Sequence, residues 1–102
     1  MEYLFTYGTL KNEQVQHYIF HRTLEGQSDS LPGFKRLENV VYDRYPLVIN
    51  TDNPNDTVEG VAYKVSLDEL MQADVYETKA YKRIKMSLKS GISAWVYVEN
   101  SN

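Results

Sequence analysis

Short segments in which apolar residues recur at every second position run along most of this chain, and no other feature constrains its fold as strongly. A period of two is typical of β-strands, because successive side chains point to opposite faces of the sheet. The segment at residues 3–7 has few polar positions, which indicates a well-buried strand. Six strands are predicted, at residues 3–7, 34–42, 46–50, 58–65, 83–88 and 94–98.

Two stretches have helical spacing instead of strand-like spacing. Residues 11–22 are predicted to form a short helix. Its apolar stripe consists of Val15, Tyr18 and Ile19. A second helix begins at Ser66, which together with Glu69 three residues later forms a capping-box signature. The apolar stripe of this second helix consists of Leu67, Leu70 and Met71.

The remaining segments have the composition of turns and loops. Glycine, serine, aspartate and proline make residues 26–33 a predicted loop, and residues 50–56 form another. The predicted order of elements is β-α-β-β-β-α-β-β, which fits a single domain across residues 1–102. We therefore expect an α+β fold, in which a small, curved, mostly antiparallel sheet or barrel is flanked by two short helices.

Charge and composition narrow the possible functions. Eleven basic residues against fourteen acidic ones give a formal net charge of −3, which does not favour binding to nucleic acid. The chain has no cysteine, so disulfides, thiolate catalysis and cysteine-ligated zinc are excluded. Neither a basic leader nor a long apolar stretch is present, and we expect no membrane partner. Together these features predict a cytoplasmic location.

The sequence Tyr7-Gly8-Thr9-Leu10 lies where the first predicted strand gives way to a helix. Glycine at such a point lets a ligand approach the backbone without a side chain in the way. The main-chain N–H groups that follow are unpaired donors, which suit a carboxylate or a developing oxyanion. A plain strand-to-helix turn with Thr9 as the helix cap explains the same four residues. The pattern alone does not separate the two interpretations.

Two acidic residues lie near the end of the second predicted helix. Leu67, Leu70 and Asp74 are spaced to share one face, and Glu77 follows one turn later. If that face points inward, desolvation raises the pKa of Glu77, and the nearby carboxylate of Asp74 raises it further. A glutamate with a pKa of about 6–7 is suited to general acid/base catalysis near neutral pH. The alternative is that both carboxylates lie in solvent at a frayed helix end.

A metal site is the third possibility. Glu13, His17 and His21 are spaced four residues apart on the first predicted helix, as metal ligands on one face can be. However, no further histidine completes a ligand set, and Tyr18 stands where a zincin motif requires glutamate. We therefore predict no metal site. The sequence also lacks the Gly-x-Ser-x-Gly motif of serine hydrolases and any glycine-rich phosphate loop.

Further short motifs accompany these residues along most of the chain. In order, they are Tyr7-Gly8-Thr9-Leu10, Tyr45-Pro46-Leu47-Val48-Ile49, Val58-Glu59-Gly60-Val61-Ala62-Tyr63, the set Leu70, Asp74, Tyr76 and Glu77, the pair Tyr81 and Arg83, and an aromatic strand around Tyr97. Taken together, they resemble the gamma-glutamylcyclotransferase-like family, including its gamma-glutamylamine cyclotransferase branch. The sequence departs from the family at Thr78, where glycine is common, and at Ala73, where leucine is common.

The resemblance implies a barrel-like α+β fold with a cavity and a cofactor-free reaction. In that reaction the α-amine of a gamma-glutamyl substrate attacks its own γ-carbonyl, which closes 5-oxoproline and expels an amine. The loop from Tyr7 to Leu10 would hold the gamma-glutamyl group, and Glu77 would act as the acid/base residue. Asp74 has a supporting role, and Tyr81 is a candidate to orient the Glu77 carboxyl by a hydrogen bond.

The partner expected from this resemblance is a small-molecule gamma-glutamyl substrate, bound by a monomer or a homodimer. Two alternatives keep the same fold without the chemistry. One is a non-catalytic module that binds a small metabolite, and the other is an interaction module that docks through surface tyrosine and histidine residues.

Overall fold

The computed structural model describes residues 1–42 and 44–100, so Asp43, in the predicted connection between two strands, lies outside the described residues. The strands are β1 (Glu2–Thr6), β2 (Gly26–Pro32), β3 (Phe34–Val41), β4 (Tyr45–Asn50), β5 (Thr57–Val65), β6 (Tyr81–Ser87) and β7 (Ser93–Glu99). The helices are α1 (Glu13–Phe20) and α2 (Leu67–Glu77), and a short 3-10 turn at Thr9–Lys11 precedes α1.

Five strands form one curved sheet in the order β2-β5-β1-β7-β6, and β3 and β4 form a separate antiparallel hairpin. Every neighbouring pair in the sheet is antiparallel except β1 and β7. The edge strand β2 also contacts the β6–β7 connection, where the N–H of Lys89 donates to the carbonyl of Ser30 at 2.9 Å. The sheet is strongly curved but not closed, which confirms the predicted α+β fold with a mostly antiparallel sheet.

The prediction of a loop at residues 26–33 is wrong, because most of this segment is the edge strand β2. All seven of its residues pair with β5, from Gly26 opposite Tyr63 to Pro32 opposite Thr57. Because backbone hydrogen bonds make this pairing, an edge strand can have mostly polar side chains. In β2 only Leu31 is fully buried. Glycine is needed at residue 26, because a Cβ there would lie 2.4 Å from the Tyr63 ring.

The strand β1 is buried on both faces, as its sequence predicts. Phe5 packs in a cluster between the curved sheet and the β3–β4 hairpin, together with Phe34 and Val48. Leu4 packs on the opposite face, in a cluster with residues of α2 such as Leu70. Burial on both faces holds β1 rigidly, and the chain that leaves its C-terminal end is therefore well positioned.

The first helix is shorter than predicted and buries a different stripe. It begins after Asn12, whose side chain accepts hydrogen bonds from two main-chain N–H groups of the first turn. Tyr18 is 81% exposed, so its predicted place in the apolar stripe is wrong. Gln16 is buried instead, because its side chain donates to the carbonyl of Leu10 and accepts from the N–H of Leu24.

The second helix begins with the predicted capping box, in which the Ser66 and Glu69 side chains each bond the other residue's main-chain N–H. Leu70 and Ala73 are its buried apolar residues, whereas Leu67 and Met71 are mostly exposed. The predicted stripe is therefore correct only at Leu70. The described residues contain no helix long and apolar enough to cross a membrane.

Candidate active site

A cavity of about 370 Å³ opens between the end of β1, the end of α2 and the β3–β4 hairpin. Residues 5–10 form one wall, residues 76–78 form another, and the hairpin covers the cavity through side chains that include Tyr42 and Pro46. Glu77 and the four residues from Tyr7 to Leu10 therefore line the same cavity, although they lie 67 or more positions apart in the sequence.

The cavity has a buried end and an exposed mouth. Thr6, Tyr7 and Leu10 are each at most 5% exposed and form part of the buried end. Tyr42 is 67% exposed and lies at the mouth, where Arg44 is also exposed. A small molecule in this cavity would therefore have one end enclosed by protein and the other close to solvent.

Glu77 is the last residue of α2 and is half-buried beside the cavity. Burial raises the pKa of its carboxyl from 4.5 to about 7, because the ionised form is poorly solvated there. Both the protonated and the ionised form are then populated near neutral pH, which is the condition for general acid/base catalysis.

Asp74 does not raise the pKa of Glu77, contrary to the sequence prediction. Its carboxylate accepts two hydrogen bonds from the guanidinium of Arg83, at 2.8 and 2.9 Å, and a third from the Tyr97 hydroxyl at 2.7 Å. The Arg83 hydrogen bond is the main cause of a lowered pKa at Asp74. The pKa values of Asp74 and Glu77 are therefore shifted in opposite directions, and of these two groups only Glu77 is poised to exchange a proton near pH 7.

The Asp74 contacts fix the end of α2 against the sheet. Arg83 belongs to β6 and Tyr97 to β7, so the hydrogen bonds of Asp74 join the helix to two strands. Tyr97 is itself bound to the first wall of the cavity, because its carbonyl accepts from the Tyr7 hydroxyl at 2.5 Å. Glu77 lies one helical turn beyond Asp74, and these contacts set its position relative to Tyr7.

The turn from Tyr7 to Leu10 is anchored at both ends. Arg36 of β3 donates to the carbonyl of Tyr7 at 2.5 Å, and Gln16 donates to the carbonyl of Leu10 at 2.8 Å. Across the part of the chain that the structure describes, the N–H groups of Gly8, Thr9 and Leu10 donate to no other residue. That they hold a ligand oxygen remains a prediction from the sequence.

Glycine at residue 8 has a steric role. A Cβ at Gly8 would lie 3.4 Å from Pro46 Cγ, so a larger side chain would meet the hairpin that covers the cavity. The side chain of Thr9 is already engaged, because its hydroxyl lies 2.9 Å from the Tyr76 hydroxyl.

Tyr81 lines the cavity but does not orient Glu77 as predicted. Its hydroxyl donates to the carbonyl of Pro46 at 2.8 Å, which ties β6 to the hairpin over the cavity. Burial and the neighbouring carboxyl of Glu77 raise the pKa of Tyr81 to about 12, so the hydroxyl remains protonated. Tyr81 therefore shapes the cavity instead of holding the carboxyl.

Thr78 has a backbone conformation that favours glycine, the residue that the resemblance leads us to expect at this position. Its φ is 65° and its ψ is −173°, a region occupied almost only by glycine. A β-branched residue is strained there, at a cost of about 1–3 kcal/mol. Thr78 directly follows Glu77 and lines the mouth side of the same wall.

Thr6 and Tyr97 line the cavity, although the sequence prediction did not assign them to the candidate site. Tyr97 entered that prediction only as part of an aromatic strand, because its contacts with Asp74 and Tyr7 are far apart in sequence. The sequence did contain a signal for Thr6, because it is a polar residue inside a strand predicted to be well buried, and buried polar side chains normally have a hydrogen-bond partner.

The three residues considered as metal ligands do not form a site. His17 Nε2 lies 2.8 Å from the hydroxyl of Thr23, and His21 ends α1 in a left-handed conformation. Within residues 1–42 and 44–100, no group of three histidine, aspartate or glutamate side chains is placed to hold a metal ion.

The fold and the cavity define a gamma-glutamylcyclotransferase-like α+β protein. The family model for gamma-glutamyl cyclotransferase, AIG2-like, matches residues 4–102, and the chain belongs to this family. No curated protein matches the sequence.

Solved structures share this fold. The solution structure of At3g28950.1 from Arabidopsis thaliana has a TM-score of 0.82 at 25% identity, covering 97% of this chain and 62% of that one. The solution structure of At5g39720.1 from the same plant has a TM-score of 0.82 at 24% identity, covering 99% of this chain and 71% of that one. The crystal structure of the uncharacterized protein PH0828 from Pyrococcus horikoshii has a TM-score of 0.75 at 16% identity, covering 100% of this chain and 80% of that one. The chain thus spans less than two thirds of the first of these proteins.

Proposed function

We propose that this protein is a cyclotransferase that converts a gamma-glutamyl amine or gamma-glutamyl amino acid to 5-oxoproline and a free amine. The observation that carries the proposal is the Glu77 carboxyl, whose pKa of about 7 places it between two protonation states beside the Tyr7–Leu10 turn. Membership in the gamma-glutamyl cyclotransferase, AIG2-like family supports the same reaction type. The proposal requires no cofactor and assigns the enzyme to the cytoplasm as a monomer or homodimer.

The proposed reaction needs one proton acceptor that later becomes a donor. Ionised Glu77 takes a proton from the substrate's α-ammonium, and the resulting amine attacks the γ-carbonyl carbon. A new C–N bond closes the five-membered ring, and the carbonyl oxygen becomes an oxyanion that the N–H groups of Gly8 to Leu10 can stabilise. The C–N bond to the leaving amine then breaks as protonated Glu77 returns a proton to it. The ring nitrogen still carries one extra proton, which the regenerated Glu77 carboxylate removes and passes to the departing amine, so that the products are the neutral lactam and an ammonium ion. One carboxyl contributes about 10²–10⁴-fold in such transfers.

The shape of the cavity orients the substrate in this proposal. The ring closure is intramolecular, so the protein mainly holds the reactive conformer. The gamma-glutamyl part, which becomes 5-oxoproline, occupies the buried end, where walls around Tyr7 restrict it. The leaving amine points to the mouth, where Tyr42 and Arg44 contact it and from where it can depart.

The proposal is tested by mass-spectrometric detection of 5-oxoproline from a panel of gamma-glutamyl amines, peptides and amino acids. Glu77→Gln protein, prepared in the same way, controls for a contaminating activity and for spontaneous cyclisation. Release of 5-oxoproline that depends on Glu77 supports the cyclotransferase. If panel compounds bind but none is converted, the chain is the non-catalytic metabolite-binding module instead.

A further inference from the structure

The mouth of the cavity carries a positive charge. Among the described residues that line the cavity, only Glu77 and Arg44 have a carboxylate or a basic side chain. In the proposed reaction Glu77 exchanges protons with the substrate, so its carboxyl is engaged in the chemistry. Arg44 is exposed between β3 and β4, and apart from Glu77 no carboxylate of the described residues lines the cavity with it. A group that extends to the mouth therefore meets a cation.

Six tyrosines line the cavity, and their hydroxyl groups separate them into two sets. Those that hydrogen-bond to other described residues are Tyr7, Tyr76, Tyr81 and Tyr97. Tyr42 and Tyr45, on either side of Arg44 in the sequence, are 67% and 37% exposed and have no such side-chain partner among the described residues. Burial is the main cause of the raised pKa of Tyr81. Tyr45 and Tyr42 raise that pKa further, because their phenol groups lie near the Tyr81 hydroxyl. The mouth therefore has aromatic surface beside its positive charge.

We propose that the leaving amine is an aromatic amino acid, with its carboxylate attracted by Arg44 and its ring packed against Tyr42 and Tyr45. The inference rests on the proposed function, in which the leaving amine points to the mouth. The carboxylate of an amino acid is attached to the carbon that bears the departing nitrogen, so it reaches the mouth together with that nitrogen. A guanidinium suits a carboxylate, and aromatic rings pack favourably on one another. A leaving group that ends in a cation would instead be repelled by Arg44.

Four gamma-glutamyl compounds separate the contribution of the carboxylate from that of the ring. Gamma-glutamylphenylalanine and gamma-glutamyl-2-phenylethylamine differ only in the carboxylate of the leaving amine. Gamma-glutamylalanine lacks the ring, and gamma-glutamylethylamine lacks both groups. Release of 5-oxoproline gives kcat/KM for each compound. The wild type should prefer the phenylalanine compound to the phenylethylamine compound by about fivefold, the effect of an exposed ion pair, and to the alanine compound by about fivefold.

Substitution of Arg44 isolates the effect of the charge. The departing amines differ in basicity as well as in charge, so the informative quantity is how a substitution changes the ratio of kcat/KM between the phenylalanine and phenylethylamine compounds. Arg44→Gln should lower this ratio by about fivefold, and Arg44→Lys should largely preserve it. The preference for the ring should remain in both variants. Lys89→Gln removes a positive charge at an exposed residue that does not line the cavity, and should change neither preference.

Two further variants test the ring contact and the neighbouring charge. Tyr42→Leu should lower the ratio of kcat/KM between the phenylalanine and alanine compounds by about threefold, without changing the carboxylate preference. Asp43→Asn removes the negative charge next to Arg44 in the sequence, and should preserve or increase the carboxylate preference.

The outcomes distinguish this inference from the proposed function. An Arg44→Gln protein with the wild-type ratio would overturn the role of Arg44 and the amino-acid leaving group, while release of 5-oxoproline would still support the cyclotransferase. An equal loss of kcat/KM for all four compounds would indicate a purely structural role for Arg44 and would also overturn the inference. If no compound of this set or of the wider panel releases 5-oxoproline, both proposals are wrong.

Discussion

Replacing Glu77 by glutamine should make the protein more stable and less active, with a stability gain that depends on pH. Glutamine keeps the size and hydrogen-bonding shape of the side chain but carries no ionisable proton. In the wild type, the folded state holds the carboxyl half-buried and raises its pKa from 4.5 to about 7. Ionising Glu77 therefore costs more in the folded state than in the unfolded chain.

The size of the effect follows from the pKa shift. Each unit of difference between the folded and unfolded pKa corresponds to about 1.4 kcal/mol. At low pH both states are protonated, and Glu77 has no effect on the free energy of unfolding. As pH rises from 4.5 to about 7, the unfolded chain ionises first and the wild type loses stability. Above that range the loss levels off at about 3 kcal/mol, and glutamine avoids it entirely.

Urea unfolding of the wild type and of Glu77→Gln measures this difference directly. We expect the variant to be more stable by less than about 1 kcal/mol near pH 5 and by about 3 kcal/mol near pH 8. Glu99→Gln makes the same change at an exposed site at the end of β7 and provides the matched control at each pH. A stability gain for Glu77→Gln that is the same at every pH would refute the perturbed carboxyl.

The same variant separates the chemistry from binding. Turnover should fall by at least about 10², because the proton acceptor is lost, while 5-oxoproline should still bind. Normal turnover by a folded Glu77→Gln protein would show that another group transfers the proton.

Three other substitutions test the supporting parts of the site. Asp74→Asn should loosen the end of α2, and we expect kcat to fall by about tenfold and the free energy of unfolding to fall by about 1 kcal/mol. The acid limb of the pH–rate profile should not shift, and a shifted limb would contradict this prediction. Gly8→Val should abolish 5-oxoproline binding in a folded protein, because the methyl groups of the valine would meet Pro46 or fill the cavity. Calorimetric titration with 5-oxoproline measures this loss, and normal binding would contradict it. Thr78→Gly should raise the free energy of unfolding by about 1–2 kcal/mol in urea titrations, and no gain would mean that Thr78 is unstrained.

Several features of the fold could be predicted from the sequence because they depend on local chemistry. The alternation at residues 3–7 predicts a strand buried on both faces, since β-sheet geometry places neighbouring side chains on opposite sides. The capping box of Ser66 and Glu69 predicts the start of α2, because both hydrogen bonds lie within four residues. Glu77 was likewise accessible as a candidate, because its acidic side chain follows a buried helical face.

Other features depend on contacts between distant parts of the chain. The strand β2 looks like a loop in sequence, because an edge strand is held by backbone hydrogen bonds and needs few apolar side chains. The sequence does not decide which face of α2 is buried, because Leu70 belongs both to the predicted stripe with Leu67 and Met71 and to the observed stripe with Ala73. Packing against the sheet selects between them.

The roles of the residues around Glu77 were decided by the tertiary structure. Asp74 and Glu77 have equivalent chemistry in the sequence, but hydrogen bonds from Arg83 and Tyr97 lower the pKa of the first while burial raises the pKa of the second. Tyr81 bonds to Pro46, which is 35 residues away, and not to the carboxyl four residues before it. The sequence thus determined which side chains were available for a site. Desolvation and hydrogen-bond partners depend on neighbours brought together only by folding, and these decided what each side chain can do.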